Sequence, residues 1–362
     1  MTETTAFNPN WASAPGDTVA DIIEERGWSQ TELAERLGFT KKHVSKLVNG
    51  EVGISADAAE KLARVLGSTT GFWMVREAQY RAALQRIAAE ESLEEQAEWL
   101  KELPVAFMRK KGWIPDLKKK ADKVAACLGY FGVASVEAWR TQYEEPVAAF
   151  RKSTKAQTEV GAVAAWMRRA ERLAEARRCA PFDRDAFQKT LQSFRAMTGD
   201  QDANSFAQQL GRRCAEVGVA VVFVPRPPKC PVSGVTKWIS PERALIVLSL
   251  LHKSNDHLWF AFFHEAGHIL LHGKRLVFVE VDGKSTDEEK EADRFARNIL
   301  IPPKYESDLR TLGPRVSAEK VRAFARRVGI APGIVVGRLQ REGLLPFSHL
   351  NGLKVRYTWE KD

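Results

Sequence analysis

Along most of the chain apolar residues recur three and four positions apart, the spacing of helices that bury one face. Ser29-Gln30-Thr31-Glu32 is a capping box ahead of a helix carrying Leu33, Ala34 and Leu37 on one side, and Gly38 ends it. Thr40 opens a second helix over 41–48, with Val44 and Leu47 inward and a stop at Asn49-Gly50. Ser55 caps a third, built on Ala59, Leu62, Ala63 and Leu66, so residues 17–76 read as four or five short helices. Tyr80, Leu84, Ile87, Leu100 and Leu103 mark one or two acidic helices that end at Pro104. Residues 105–200 continue as helices around Trp113, Trp139 and Trp166, broken at Pro115, Pro146 and Pro181. After a helix with Phe206, Leu210 and Cys214 the period changes. Val219–Val224 reads as a buried strand, and Val235–Ile239 with Ala244–Leu248 as a hairpin-like pair. Helical spacing then returns, in an apolar helix around 257–271 and an acidic one around 286–296.

The second helix of the first group leaves Lys41, Lys42, His43, Ser45 and Lys46 outside. Two short helices joined by a tight glycine-containing turn, the second basic on its outer face, describe a helix-turn-helix with its recognition helix. Lys41 and Lys46 are the expected phosphate contacts; Thr40, Lys42, His43 and Ser45 are the expected readers of base edges. The unit is nearly neutral, with 8 basic and 9 acidic residues over 17–76, so any DNA affinity rests on this small patch. The alternative is a helix-turn-helix used only for protein contact. The Lys118-Lys119-Lys120 and Arg168-Arg169 clusters favour a solvated face over DNA contact.

His264-Glu265-Ala266-Gly267-His268 is an H-E-x-x-H pattern. On a helix the two histidines lie on one face and can aim at a single zinc ion, with Glu265 adjacent. Zinc held this way brings the pKa of water towards neutrality, and a neighbouring carboxylate can take its proton and hand it to a leaving amine. A third protein ligand is needed. In the acidic helix Glu289 and Asp293 sit four apart, which makes Glu289 the expected ligand and Asp293 the carboxylate that orients a ligand histidine. Glu288 and Glu291 are expected on a solvated face. His272 either orients substrate or makes a helix-end hydrogen bond. The alternative for the whole motif is a core helix with two hydrogen-bonded histidines. An edge strand beside this helix would let an extended peptide add to the sheet, over the metal.

HEAGHILLHG followed by EEKEADRFARNILIPP resembles the ImmA/IrrE family of zinc metallopeptidases over roughly residues 205–345. The resemblance implies zinc ligands His264, His268 and Glu289, a catalytic Glu265, and cleavage of a protein substrate, often a DNA-binding repressor. Residues 15–83, through SQTELAERLG, VSKLVNG and Gly71-Phe72-Trp73, resemble the HigA-like branch of the Xre-type repressors and antitoxins. The expected architecture is multidomain and mainly α. It comprises a flexible tail over 1–14, an all-α helix-turn-helix domain over 15–83, a helical linker or middle region over 84–200, an α+β zincin-like metallopeptidase with a small sheet over 201–345, and a tail over 346–362. Phe324–Gly329 with Val335 and Leu339 echoes the helix-turn-helix spacing, but Pro332, Gly333 and Gly337 favour a packing subdomain over a second reading helix.

At 362 residues, 44% hydrophobic and 28% charged, the composition is that of a globular protein with room for two or three cores. Four cysteines without C-x-x-C pairing read as reduced thiols in a cytosol. MTETTAFNPNWASAPG lacks the features of a signal peptide, and no apolar run approaches membrane-spanning length, so the expected location is cytoplasmic. The net charge of +9 favours an acidic partner. The partners expected are operator DNA, a protein substrate, a second copy of the chain as a homodimer and, on an antitoxin reading, a toxin; no membrane. The rival to the zinc endopeptidase is a non-enzymatic antitoxin-like repressor whose metallopeptidase fold binds a partner or senses a ligand.

Overall fold

The computed structural model describes residues 11–144, 159–249, 254–272, 278–279 and 286–357. Most of the predicted 1–14 tail, Pro146 and residues 358–362 lie outside these. The chain divides into two compact units, Met1–Ala97 with Lys118–Ala125, and Glu98–Leu117 with Ala126–Asp362.

In the first unit five helices follow in order: α1 Pro15–Glu25, α2 Gln30–Leu37, α3 Lys41–Val48, α4 Ala56–Leu66 and α5 Thr70–Glu95. The predicted caps form. Ser29, Thr40 and Ser55 hydroxyls accept from the backbone N–H of Glu32, His43 and Ala58. Gly38 ends α2 at φ 68°, a left-handed conformation that costs glycine nothing. Val19, Leu33, Val44, Ala59, Leu62 and Trp73 form the floor of one core. α5 is a single helix, so the boundary expected at residue 83 falls inside a continuous element. On it Tyr80 and Ile87 are half-buried and Leu84 is exposed.

The second unit is built on a four-stranded sheet in the order β1-β3-β2-β4, with β1 Val219–Phe223, β2 Gly234–Ser240, β3 Arg243–Leu248 and the two-residue β4 Phe278–Val279. β1 and β3 run parallel, and β2 is antiparallel to both β3 and β4. The hairpin of β2 and β3 matches the sequence reading. β4 was not anticipated, and it pairs with Val235 and Thr236 on the outer side of β2.

Two long helices, α12 Asn255–Leu271 and α13 Asp287–Leu300, pack together beside this sheet. Gly267 and Ala292 allow the approach: a Cβ on Gly267 would lie 3.3 Å from Ala292 Cα. The helices between α5 and β1 that matter here are α9 Val160–Glu175, α10 Arg184–Ser193 and α11 Ala203–Ala215. The region expected to be a linker contributes directly to this unit. α9 buries Gly161–Trp166, Ala170 and Ala174, Trp166 Nε1 donates to Val224 O at 3.0 Å, and Lys237 pairs with Glu171 at 2.6 Å. Arg184 donates to Leu270 O at 2.8 Å, capping the end of α12. Arg168, expected on a solvated face, is instead tied to Glu171 and Glu175 and donates to Tyr130 O.

α15 Ala318–Val328 and α16 Pro332–Arg341 produce the helix-turn-helix echo. α16 is a regular helix despite Pro332, because proline at the first turn removes only an N–H that has no helical partner. Its Val335, Val336 and Leu339 are buried, as a packing role requires. Of residues 346–357, expected as a tail, the first part is held by Gln340 of α16, which donates to His349 O at 2.9 Å, and Lys354–Tyr357 run along the start of α12. Asn255 N–H donates to Val355 O, Val355 N–H donates to Asn255 Oδ1, and Tyr357 is buried against Trp259 and Phe206.

Candidate metal centre and nucleic-acid interface

α12 is apolar on nearly all sides because the sheet, α13 and α16 surround it, and so His264, Glu265 and His268 are buried. Four residues apart, the two imidazoles converge: His264 Nε2 lies 3.0 Å from His268 Nε2. From α13, Glu289 Oε2 is 3.1 Å from His264 Nε2, and Oε1 is 3.4 Å from His268 Nε2. One ligand atom from each of the three lies within 4.8 Å of the others. Tetrahedral zinc with bonds near 2.0–2.2 Å has ligand atoms separated by about 3.4 Å. The separations of 3.0–3.4 Å are close to that spacing, so these two nitrogens and a carboxylate could hold such an ion.

The surroundings tune the same three groups. Burial works against ionising Glu289, but hydrogen bonds and charge from His264 and His268 outweigh it and hold its carboxyl down at about 2. Burial pushes His268 below the usual imidazole range, which favours the neutral form that can ligate a metal. Asp293 Oδ1 is 2.9 Å from His264 Nδ1, which keeps a proton on Nδ1 and turns Nε2 towards the centre. His268 Nδ1 is 2.9 Å from His272 Nδ1, and His272 Nε2 is 3.4 Å from Glu291 Oε2. His272 thus contacts His268, and Glu291 is exposed, as expected for a solvated face. Glu288 is exposed.

Thr236 on β2 is the residue that sequence reasoning missed. Its hydroxyl lies 2.7 Å from Glu265 Oε2 and 3.0 Å from Glu265 O, fixing the carboxylate beside the histidines. Gly234 is equally close: a Cβ there would lie 2.6 Å from Glu265 Oε1. Thr236 and Glu265 are joined only by the fold, and no local pattern links them.

On the first unit, Lys41, Lys42 and Lys46 project from α3 into solvent, and among the described residues none has a hydrogen-bond or ion-pair partner. His43 is half-buried with its ring against Phe39, centroids 4.7 Å apart, and Ser45 is also half-buried. Thr40 is exposed, but its hydroxyl is engaged as the helix cap. Among the described residues no helix is long and apolar enough to cross a membrane.

A helix-turn-helix family model (HTH_3) matches residues 19–73. Antitoxin HigA-1 of Vibrio cholerae is 41% identical over 54 residues, which is 15% of this chain and 50% of the relative, so the chain spans about half the length of that protein. Among solved structures, Pseudomonas aeruginosa antitoxin HigA with the higBA promoter is 28% identical, covering 24% of this chain and 94% of that one at a TM-score of 0.22. An addiction module antidote protein of a HigA family from Coxiella burnetii is 25% identical, covering 23% and 92% at a TM-score of 0.22. Residues 19–73 of this chain are a helix-turn-helix domain with HigA antitoxin homologues.

Proposed function

We propose that the chain is a DNA-binding transcriptional regulator carrying a zinc-dependent endopeptidase, which cleaves a protein substrate of the repressor or antitoxin kind. The observation that carries the enzymatic part is the convergence of His264, His268 and Glu289, with Glu265 pinned beside them by Thr236. Zinc at such a site supplies Lewis acidity to a peptide carbonyl and makes water acidic near neutral pH. Glu265 accepts the proton of the attacking water and passes it to the departing amine. Thr236 keeps the carboxylate oriented for both transfers, while Asp293 and His272 hold the two imidazoles in the required tautomers.

The regulatory part rests on the helix-turn-helix domain and the three free lysines of α3. A second reading, a non-enzymatic antitoxin-like repressor with a toxin partner, is favoured by the similarity to antitoxin HigA-1. The two readings diverge at Glu265, which only the enzyme needs. Wild type and Glu265→Gln are expressed in the native host with a reporter behind the chain's own promoter, and stress is applied. The peptidase reading predicts derepression and a zinc-dependent protein fragment in wild type alone. Identical reporter output in both strains, with no such fragment, supports the second reading.

A further inference from the structure

Beside the histidine pair, α12, α13 and α16 border a cavity of about 500 Å³. Its wall includes Asp293, the partner of His264, and continues one turn along α13 to Arg297. α16 contributes Arg338 and Arg341 from another side. The cations of this wall are not equivalent. Arg338 is tied to Glu306 at 3.0 Å and to Glu342, and Lys354 to Asp256 at 2.7 Å. The side chains of Arg297 and Arg341 have no hydrogen bond or ion pair with any described residue; Arg297 is half-buried and Arg341 is exposed at the rim.

A guanidinium partly withdrawn from water and lacking an acceptor is matched to a carboxylate or phosphate, which its planar fork binds through two parallel hydrogen bonds. Asp293 and Glu342 on the same wall disfavour a dianionic phosphate and leave a singly charged acid as the better fit. Phe260, Ile334 and Phe347 complete the lining with apolar surface. We propose that this cavity is a carboxylate-binding subsite in which Arg297 and Arg341 hold an acid group and the three apolar residues take its apolar neighbour. The assignment of that acid group to the protein substrate rests on the peptidase reading. Arg297 lies eight residues beyond Glu289 on α13, about 12 Å along the helix axis. That is the span of three to four extended residues at roughly 3.3 Å each, so the acidic residue sits that far from the bond that is cut.

A free acid with an apolar tail has the same chemistry, and the test carries both. Full-length Glu265→Gln protein, which prevents turnover, is titrated with a labelled peptide containing Leu and Glu, with its Gln-for-Glu twin, and with octanoate as the free acid. The subsite predicts that the acidic peptide or octanoate binds, the peptide about tenfold more tightly than its neutral twin. Arg297→Gln with Arg341→Gln abolishes the preference, and Arg297→Glu with Arg341→Glu transfers it to a Lys-for-Glu peptide. Octanoate binding without peptide binding retains the subsite and overturns its assignment to substrate. Equal affinity for the Glu and Gln peptides with no octanoate binding, or a preference that survives the double substitution, overturns the proposal. Zinc content measured on the same samples separates the two readings. Arginine-dependent acid binding without zinc removes the peptidase and leaves the subsite; normal zinc without acid preference does the reverse.

Discussion

Glu265 is a buried carboxylate that accepts from the Thr236 hydroxyl and lies in space that a side chain at Gly234 would fill. Thr236→Val keeps the shape of the side chain and removes the donor. It is expected to leave zinc content unchanged and lower peptide cleavage roughly 10–100-fold, the usual scale for groups that orient a metal site; a variant with wild-type turnover would show that Thr236 does not position the carboxylate. Gly234→Ala should also lower cleavage with the zinc retained, because its Cβ would overlap the carboxylate. The thiols behave differently. Burial pushes Cys127 and Cys230 up to about 12 and raises Cys214 as well, while Cys179 is only half-buried. The thiolate is the reactive form, so a disulfide reagent at about pH 8 should label Cys179 alone in the native protein and all four cysteines in denaturant. Because these pKa values are raised by folding, the buried thiols favour the native state below the ordinary thiol range, and that contribution is lost as pH rises above it. His264, Glu265 and His268 were legible because their spacing is local, and Glu289 and Asp293 because a second helix repeats the same four-residue step. Thr236, 29 residues from Glu265, was not.

At the scale of elements, α3 combines two demands on few residues. Thr40 caps the helix, so Thr40→Ala should cost about 1 kcal/mol of stability, read as a lower denaturant midpoint, before any effect on DNA. Lys46→Ala should weaken binding to every DNA sequence and reduce the salt slope by about 1, as loss of a phosphate contact does; Lys42→Ala should change which sequence is preferred. Equal gel-shift affinities for wild type and a Lys41/Lys42/Lys46 triple alanine variant would remove the recognition role from α3. In α16 the sequence pointed to packing and the structure shows how. Pro332 and the glycines argued against a second reading helix, and accordingly Pro332 occupies the first turn and the glycines are contact points. A Cβ at Gly337 would lie 2.6 Å from Asp256 Oδ2, so Gly337→Ala should destabilise the unit by about 1–3 kcal/mol, and an unchanged midpoint would contradict that contact. What the helical linker or middle region packs against was not legible for a related reason. Hydrophobic period locates a helix and its buried face but not the partner, and α9 turned out to pack on the sheet through small residues and Trp166.

For the whole molecule, the proposal joins a DNA-binding domain to a peptidase in one chain. Tethering places any cleavable segment that the connection can deliver at an effective concentration typically in the mM range, so cleavage and repression can be coupled without high intrinsic affinity. That coupling presupposes a working metal centre, and metal content tests it most directly. Purified full-length protein analysed by mass spectrometry should contain about one zinc per chain. Glu265→Gln should retain it, since the ligands remain, whereas His264→Ala and Glu289→Gln should lose it. A wild-type protein that takes up no zinc, or a Glu289→Gln variant with full occupancy, would contradict the centre assigned to His264, His268 and Glu289.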